Sequence, residues 1–261
     1  MDYTDILYEA GEGIATITIN RPDRLNCFRG RTIEELLDGF RRAWADRTVG
    51  AVILTAAGEK AFCVGGDQKE MMEKGTYGTS ANGLWEIDEL HMVIRNIPKP
   101  VIAAVNGYAI GGGHVLHVIC DMTIAADTAK FGQAGPRVGS FDAGWGSAYL
   151  ARIVGEKRAR EIWFLCRQYD AQTALDWGLV NEVAPAAELM EAARSMAKEV
   201  LALSPTALKF LKHAFNADSA HIFGQAKMAG DGLSAFVNSE EARESRGAFL
   251  EKRKADFSRF R

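Results

Sequence analysis

The sequence predicts an α/β fold with parallel strand pairing, a core over residues 1–200 and a helical region over 201–261. Three observations predict it. Strand-like apolar segments alternate with helical patterns through the first half of the chain. Residues 100–121 (PVIAAVNGYAIGGGHVLHVICD) run from a strand through glycines straight into a helix, and beyond Gly144 the pattern is helical throughout. Alternation of strand, helix and strand is the signature of helices packed on a parallel sheet.

Taken in order, residues 13–20 (GIATITIN) alternate Ile14, Thr16 and Thr18 against Ala15, Ile17 and Ile19, then meet Arg21-Pro22, so a strand ends in a turn. Thr32 with Glu35 reads as a capping box before Ile33, Leu36, Leu37, Phe40 and Trp44, spaced for one helix face. A strand follows at 50–55, then the turn AFCVGGD at 61–67. Residues 71–85 lack a clean period and are rich in small polar residues, which predicts a mobile loop. Strands at 101–105 and 122–126 flank the glycine-started helix. Helical patterns occupy 147–153, 159–165, 171–177, 187–203, 205–215 and about 240–254, and no linker, low-complexity tract or internal repeat interrupts them.

The glycines carry the first chemical suggestion. Gly111, Gly112 and Gly113 open a helix, where the first N–H groups have no internal partner and no side chain keeps a ligand off the backbone. A second pair, Gly65-Gly66, follows the strand at 50–55, so two sets of amides can converge on one developing oxyanion. Tight packing or a simple turn is the competing explanation for either run taken alone.

Composition narrows the class. The 261 residues include 31 basic and 34 acidic side chains, a net charge of −3 with the signs well mixed, so no overall field gathers nucleic acid or an anionic membrane. The start MDYTD is acidic with no apolar stretch behind it, and the longest apolar run is broken by His114 and His117, so neither an export signal nor a membrane span is expected. A cytoplasmic protein acting on small molecules fits. Cys27, Cys63, Cys120 and Cys166 lie far apart without metal-ligand spacing, which predicts buried thiols and no metal site.

Five motifs, FCVGGDQ (62–68), GGGHVLH (111–117), FGQAGP (131–136), VGSFD (138–142) and AREIWFLCRQ (159–168), resemble the crotonase superfamily along essentially the whole chain. Within it they are most similar to the 1,4-dihydroxy-2-naphthoyl-CoA synthase branch and related ring-opening β-keto acyl-CoA hydrolases. The resemblance implies a spiral of ββα turns, a trimer or hexamer with 201–261 as trimerisation region, coenzyme A thioester substrates and no tightly bound cofactor. It places an oxyanion hole on the backbone N–H groups of Gly66 and Gly112, where one donor is worth roughly 3 kcal/mol of barrier.

The same resemblance implies roles for side chains. Hydratases of the superfamily carry two glutamates, and the matching positions here are Val115 and Gly135, so ordinary syn hydration lacks its acid and base. The synthase branch uses Ser-x-Asp, here Ser140 and Asp142, with Asp142 moving a proton and Ser140 holding it or the substrate; a helix cap is the competing role for Asp142. Gln133, Gly135 and Trp163 match a bicarbonate pocket of some members, although Ala134 replaces its threonine, and Trp163 equally suits a helix core. Val237 and Met71 stand where the synthases place a tyrosine and an arginine for the aryl acid. The acyl-CoA contacts implied are Cys63, Val64, Gly65, Asp67, Gln68, Val115 and Arg24, with Lys69 and Lys252 as further phosphate partners. The expected chemistry is formation or cleavage of a carbon–carbon bond α to a thioester, by ring closure or ring opening. A hydratase or isomerase with an unusual acid/base is the alternative. A non-catalytic RNA- or protein-binding relative is the remote one, without a basic stripe to support it.

Overall fold

The computed structural model describes residues 2–261. Ten strands fall into two sheets: β1 (Ile6–Gly11), β2 (Ile14–Ile19), β3 (Ala51–Ala56), β4 (Ala61–Cys63), β5 (Val101–Val105), β6 (Tyr108–Ile110), β7 (Met122–Ala126), β8 (Lys130–Gly132), β9 (Gln168–Asp170) and β10 (Glu182–Ala184). The helices are α1 (Gly30–Ala45), α2 (Gln68–Lys74), α3 (Ile87–Asn96), α4 (Gly112–Val118), α5 (Gly135–Val138), α6 (Leu150–Val154), α7 (Glu156–Leu165), α8 (Ala171–Asp176), α9 (Leu189–Leu201), α10 (Pro205–Ala217), α11 (Ile222–Phe236) and α12 (Glu240–Leu250).

The large sheet has the order β1-β2-β3-β5-β7-β10, and the small one β4-β6-β8-β9. Among the described residues only β1 with β2 and β8 with β9 pair antiparallel. Three successive units, β3-β4-α2, β5-β6-α4 and β7-β8-α5, each give one strand to the large sheet, one to the small sheet, and then a helix. The spiral expected from the resemblance is therefore present as a structural repeat, although no sequence repeat announces it. Strands β3 and β5 are buried along their whole length, which accounts for their unbroken apolar character.

This winding sets the chemistry. The segments that follow β4, β6 and β8 all leave the small sheet at its strand carboxyl ends and enter α2, α4 and α5, so three helix starts meet at one edge.

Several local expectations are corrected. Thr32 is not the N-cap of α1; it lies at the third helical position, and its hydroxyl accepts from Arg29 N–H at 3.2 Å. Glu35 turns away from the helix start, and its carboxylate accepts from the N–H groups of Thr4, Asp5 and Ile6 at 2.7–3.2 Å, tying β1 to α1. Trp44 lies outside the buried stripe and is exposed, whereas Ile33, Leu36, Leu37 and Phe40 are buried. The segment 71–85 is not one loop. Asp67 caps α2 by accepting from Glu70 N–H, Gly75 closes it in a left-handed conformation, and Tyr77 and Ser80 then tuck inward. Helix α11 and strand β1 have no counterpart in the sequence reading. Among the described residues no helix is long and apolar enough to cross a membrane.

Candidate active site

A cavity of about 730 Å³ opens where the three helix starts meet, lined by Arg24, Gly66, Gly112, Val115, Gln133 and Asp142 among others. Its first wall is the turn after β4. Phe28 N–H donates to Gly65 C=O at 2.9 Å, and Asp67 N–H donates to Phe28 C=O at 2.9 Å. In such a parallel bridge the residue between, Gly66, turns its own N–H the opposite way. Asp67 is buried. Burial raises its pKa, but the Glu70 N–H and the Arg21 guanidinium, 2.9 Å away, more than offset this and hold the carboxyl below its ordinary value.

The second wall is the start of α4. Gly111 has φ 58° and accepts the turn that a β-carbon would strain, leaving Gly112 N–H as the first amide of the helix. Gly113 packs so closely on β4 that a β-carbon there would lie 1.9 Å from Cys63 O. The two glycine turns touch: a β-carbon on Gly65 would sit 3.1 Å from Gly112 N. Gly66 and Gly112 both line the cavity beside this contact, and preorganised backbone amides are the kind of donor that stabilises an oxyanion.

The third wall carries Asp142. Asp142 Oδ1 accepts from Gly144 N–H at 2.9 Å and Gly146 N–H at 2.8 Å, so the cap role and an open cavity position coexist. Val115 and Asp142 both reach Gly146, where a β-carbon would meet Val115 Cγ2 at 2.8 Å and Asp142 Cγ at 3.0 Å. The cavity's other carboxylates are Asp67, already held, Asp88, paired to Lys227 at 3.0 Å, and exposed Asp23.

Of the remaining expected residues, Val64, Gly65, Gln68, Lys69, Ser140 and Trp163 also line the cavity. Gln68 Nε2 donates to Tyr77 Oη at 2.9 Å, and Lys69 is exposed with Glu73 3.8 Å away. Arg24 is exposed at the cavity, on a turn fixed by buried Asn26, whose amide donates to Ala57 O and Ala61 O at 2.9 and 2.7 Å. Two residues are not where expected. Cys63 is buried beneath the turn, its Sγ accepting from Gly65 N–H at 3.4 Å, and Lys252 lies exposed past α12, away from this chain's cavity.

The bicarbonate pocket does not fit. A β-carbon at Gly135 would lie 2.6 Å from Ser140 O and 2.8 Å from Trp163 Cζ3, so the glycine makes room for protein, and Trp163 Nε1 already donates to Gly146 O at 2.5 Å. Sequence reading also missed His91 and Trp145, both buried in the cavity wall, and the Tyr77–Trp85 aromatic pair beside Gly66. A single histidine within an amphipathic helix gives no signal that separates a core role from a site.

The profile of the family described as enoyl-CoA hydratase/isomerase matches residues 9–259. The chain belongs to the enoyl-CoA hydratase/isomerase family. It is accordingly a crotonase-superfamily enzyme acting on coenzyme A thioesters. Solved structures of the family bear this out. An enoyl-CoA hydratase/isomerase from Pseudoalteromonas atlantica is 28% identical with a TM-score of 0.88, over 97% of this chain and 100% of the other. A carnitinyl-CoA hydratase from Mycobacterium avium is 31% identical with a TM-score of 0.86 over 98% of each chain. An enoyl-CoA hydratase from Mycobacterium avium subsp. paratuberculosis is 29% identical with a TM-score of 0.86, over 98% and 99%.

Proposed function

We propose that this family member makes or breaks a carbon–carbon bond α to a thioester carbonyl, as in ring closure of the 1,4-dihydroxy-2-naphthoyl-CoA synthase kind or hydrolytic ring opening of a cyclic β-keto acyl-CoA. The observation that carries the reading is the placement of Asp142. Asp142 has one oxygen held by two amides and faces the cavity of Gly66 and Gly112, while the two positions that would bear a hydratase's glutamates are Val115 and Gly135.

In the opening direction, water gives a proton to Asp142 as its oxygen bonds the ring ketone carbon. The carbon–carbon bond breaks, and its electron pair becomes a thioester enolate whose oxygen accepts from Gly66 and Gly112 N–H. Asp142 then returns the proton to the α-carbon, leaving an open-chain carboxylic acid on the intact thioester, which loses water's remaining proton to solvent as the carboxylate. Ser140 beside it positions the acyl group, Val64, Gly65, Asp67 and Gln68 shape the thioester turn, and Arg24 with Lys69 meets the phosphates of coenzyme A. No step requires a tightly bound cofactor.

A second reading, hydration or dehydration with Asp142 as an atypical acid/base, is favoured by the relatives reported above, which are described as hydratases. Mass spectrometry of the enzyme with cyclic and linear β-keto thioesters and with crotonyl-CoA separates the two. Cleavage or closure of a β-keto thioester supports carbon–carbon chemistry; turnover of crotonyl-CoA alone overturns it. The exposed apolar side chains of the last helices, Phe210, Phe215 and Met228 among them, support self-association as a trimer or hexamer through residues 201–261.

A further inference from the structure

At one side of the cavity, two ring nitrogens are buried without a partner: His91 Nε2 and Trp145 Nε1. Their residues are 6% and 2% exposed. Two neighbouring charged groups on the same helix are engaged elsewhere. Asp88, one turn before His91 on α3, pairs with Lys227 at 3.0 Å, and Arg95, one turn after it, donates to Ser219 Oγ at 2.7 Å and stacks 4.5 Å from the Trp145 ring centroid. That stacking joins α3 to the segment carrying Asp142 and Trp145.

A buried donor left unpaired is costly, so such groups are normally satisfied by something that binds. The indole N–H can only donate. Burial lowers the His91 pKa and outweighs the opposing fields of Asp142, Asp88 and Glu89, so the ring is neutral, and in its Nε2–H tautomer it offers a donor without a charge. Two neutral donors in an apolar wall suit an uncharged acceptor oxygen, and a carboxylate would face Asp142 and Asp88.

We propose that His91 and Trp145 form the subsite for an oxygen on the β-carbon of the acyl group, a ketone or the hydroxyl derived from it. This rests on the thioester being seated at Gly66 and Gly112, and it holds for either reading of the chemistry, because both place oxygen at that carbon. When water adds to the ketone under the ring-opening reading, the alkoxide that forms accepts from these donors while Asp142 holds the proton. The charge then passes to the thioester enolate as the carbon–carbon bond breaks.

The test is calorimetric binding of acetoacetyl-CoA and butyryl-CoA, which differ by the β-oxygen, to the wild type and to His91→Leu, Trp145→Phe and His91→Gln. The wild type is expected to prefer acetoacetyl-CoA at least tenfold, since a site built to pair an oxygen rejects the analogue lacking it. His91→Leu and Trp145→Phe should each cut that preference to about threefold or less while butyryl-CoA affinity stays within about twofold. His91→Gln, which keeps a donor, should restore part of it. No preference in the wild type, or a preference that survives both variants, overturns the subsite. Loss of the preference in both variants, in an enzyme that cleaves no β-keto thioester, would remove the carbon–carbon reading and leave the subsite standing.

Discussion

Asp142 illustrates how one residue serves architecture and chemistry together. Its Oδ1 accepts from Gly144 N–H, just before the π-helical turn Trp145–Tyr149, and from Gly146 N–H within it, so Asp142→Asn keeps an acceptor there and preserves the fold. The variant is expected to lose about 10²–10⁴-fold in kcat with thioester affinity within a few fold, as measured by steady-state kinetics and calorimetry. A near wild-type rate would remove Asp142 from the mechanism. Trp163 makes the opposite case: with Gly135 filled by its ring and its N–H spent on Gly146 O, turnover is expected to be the same in carbonate-free buffer and with added bicarbonate. Gly66, Gly112 and Asp142 line one cavity, and the sequence pointed to the glycines through their exposed amides and to Asp142 through the family resemblance. His91 and Trp145 were not legible there, because only three-dimensional packing reveals that their nitrogens lack partners.

Among the elements, α4 is set by contact and not by helix propensity. A methyl group at Gly113 would drive into Cys63 O, so Gly113→Ala is expected to cost about 1–3 kcal/mol and to weaken thioester binding by displacing Gly112. Urea unfolding and calorimetry report the two effects, and an unchanged midpoint would contradict the packing account. The long strands were readable from alternation or from unbroken apolar runs. Strands β4, β6 and β8 have three residues each, too few to express a period, and β1 (ILYEAG) is mostly exposed after Ile6 and mixes polarity. Helix α11 escaped because Gly224, Gly230 and Gly232 dilute its pattern. The Thr32–Glu35 pair was legible as a motif and wrong as a cap, since Glu35 found three N–H donors across the β1 strand.

For the whole molecule, the core carries a titratable liability. His114 and His117 are fully enclosed beside Phe131, with centroids 4.8 Å apart; burial pulls His114 down to about 3 and His117 well below its ordinary value. The unfolded chain takes up protons at these rings as pH falls below about 6.5, and the folded chain does not. Stability is thus full above that pH and is lost as pH falls toward about 3, by up to ~1.4 kcal/mol per pH unit for each ring. The urea midpoint should be lower at pH 5 than at pH 7.5, with a smaller difference in His114→Gln; an equal or higher midpoint at pH 5 would contradict this. The proposed chemistry depends on the contact between the β4 and β6 turns and on their two amides gripping one thioester oxygen. Difference infrared spectroscopy of butyryl-CoA labelled with carbon-13 at its thioester carbonyl reads that grip directly. The account predicts a carbonyl stretch moved to lower frequency in the bound state, and a band at its free-solution position would contradict it.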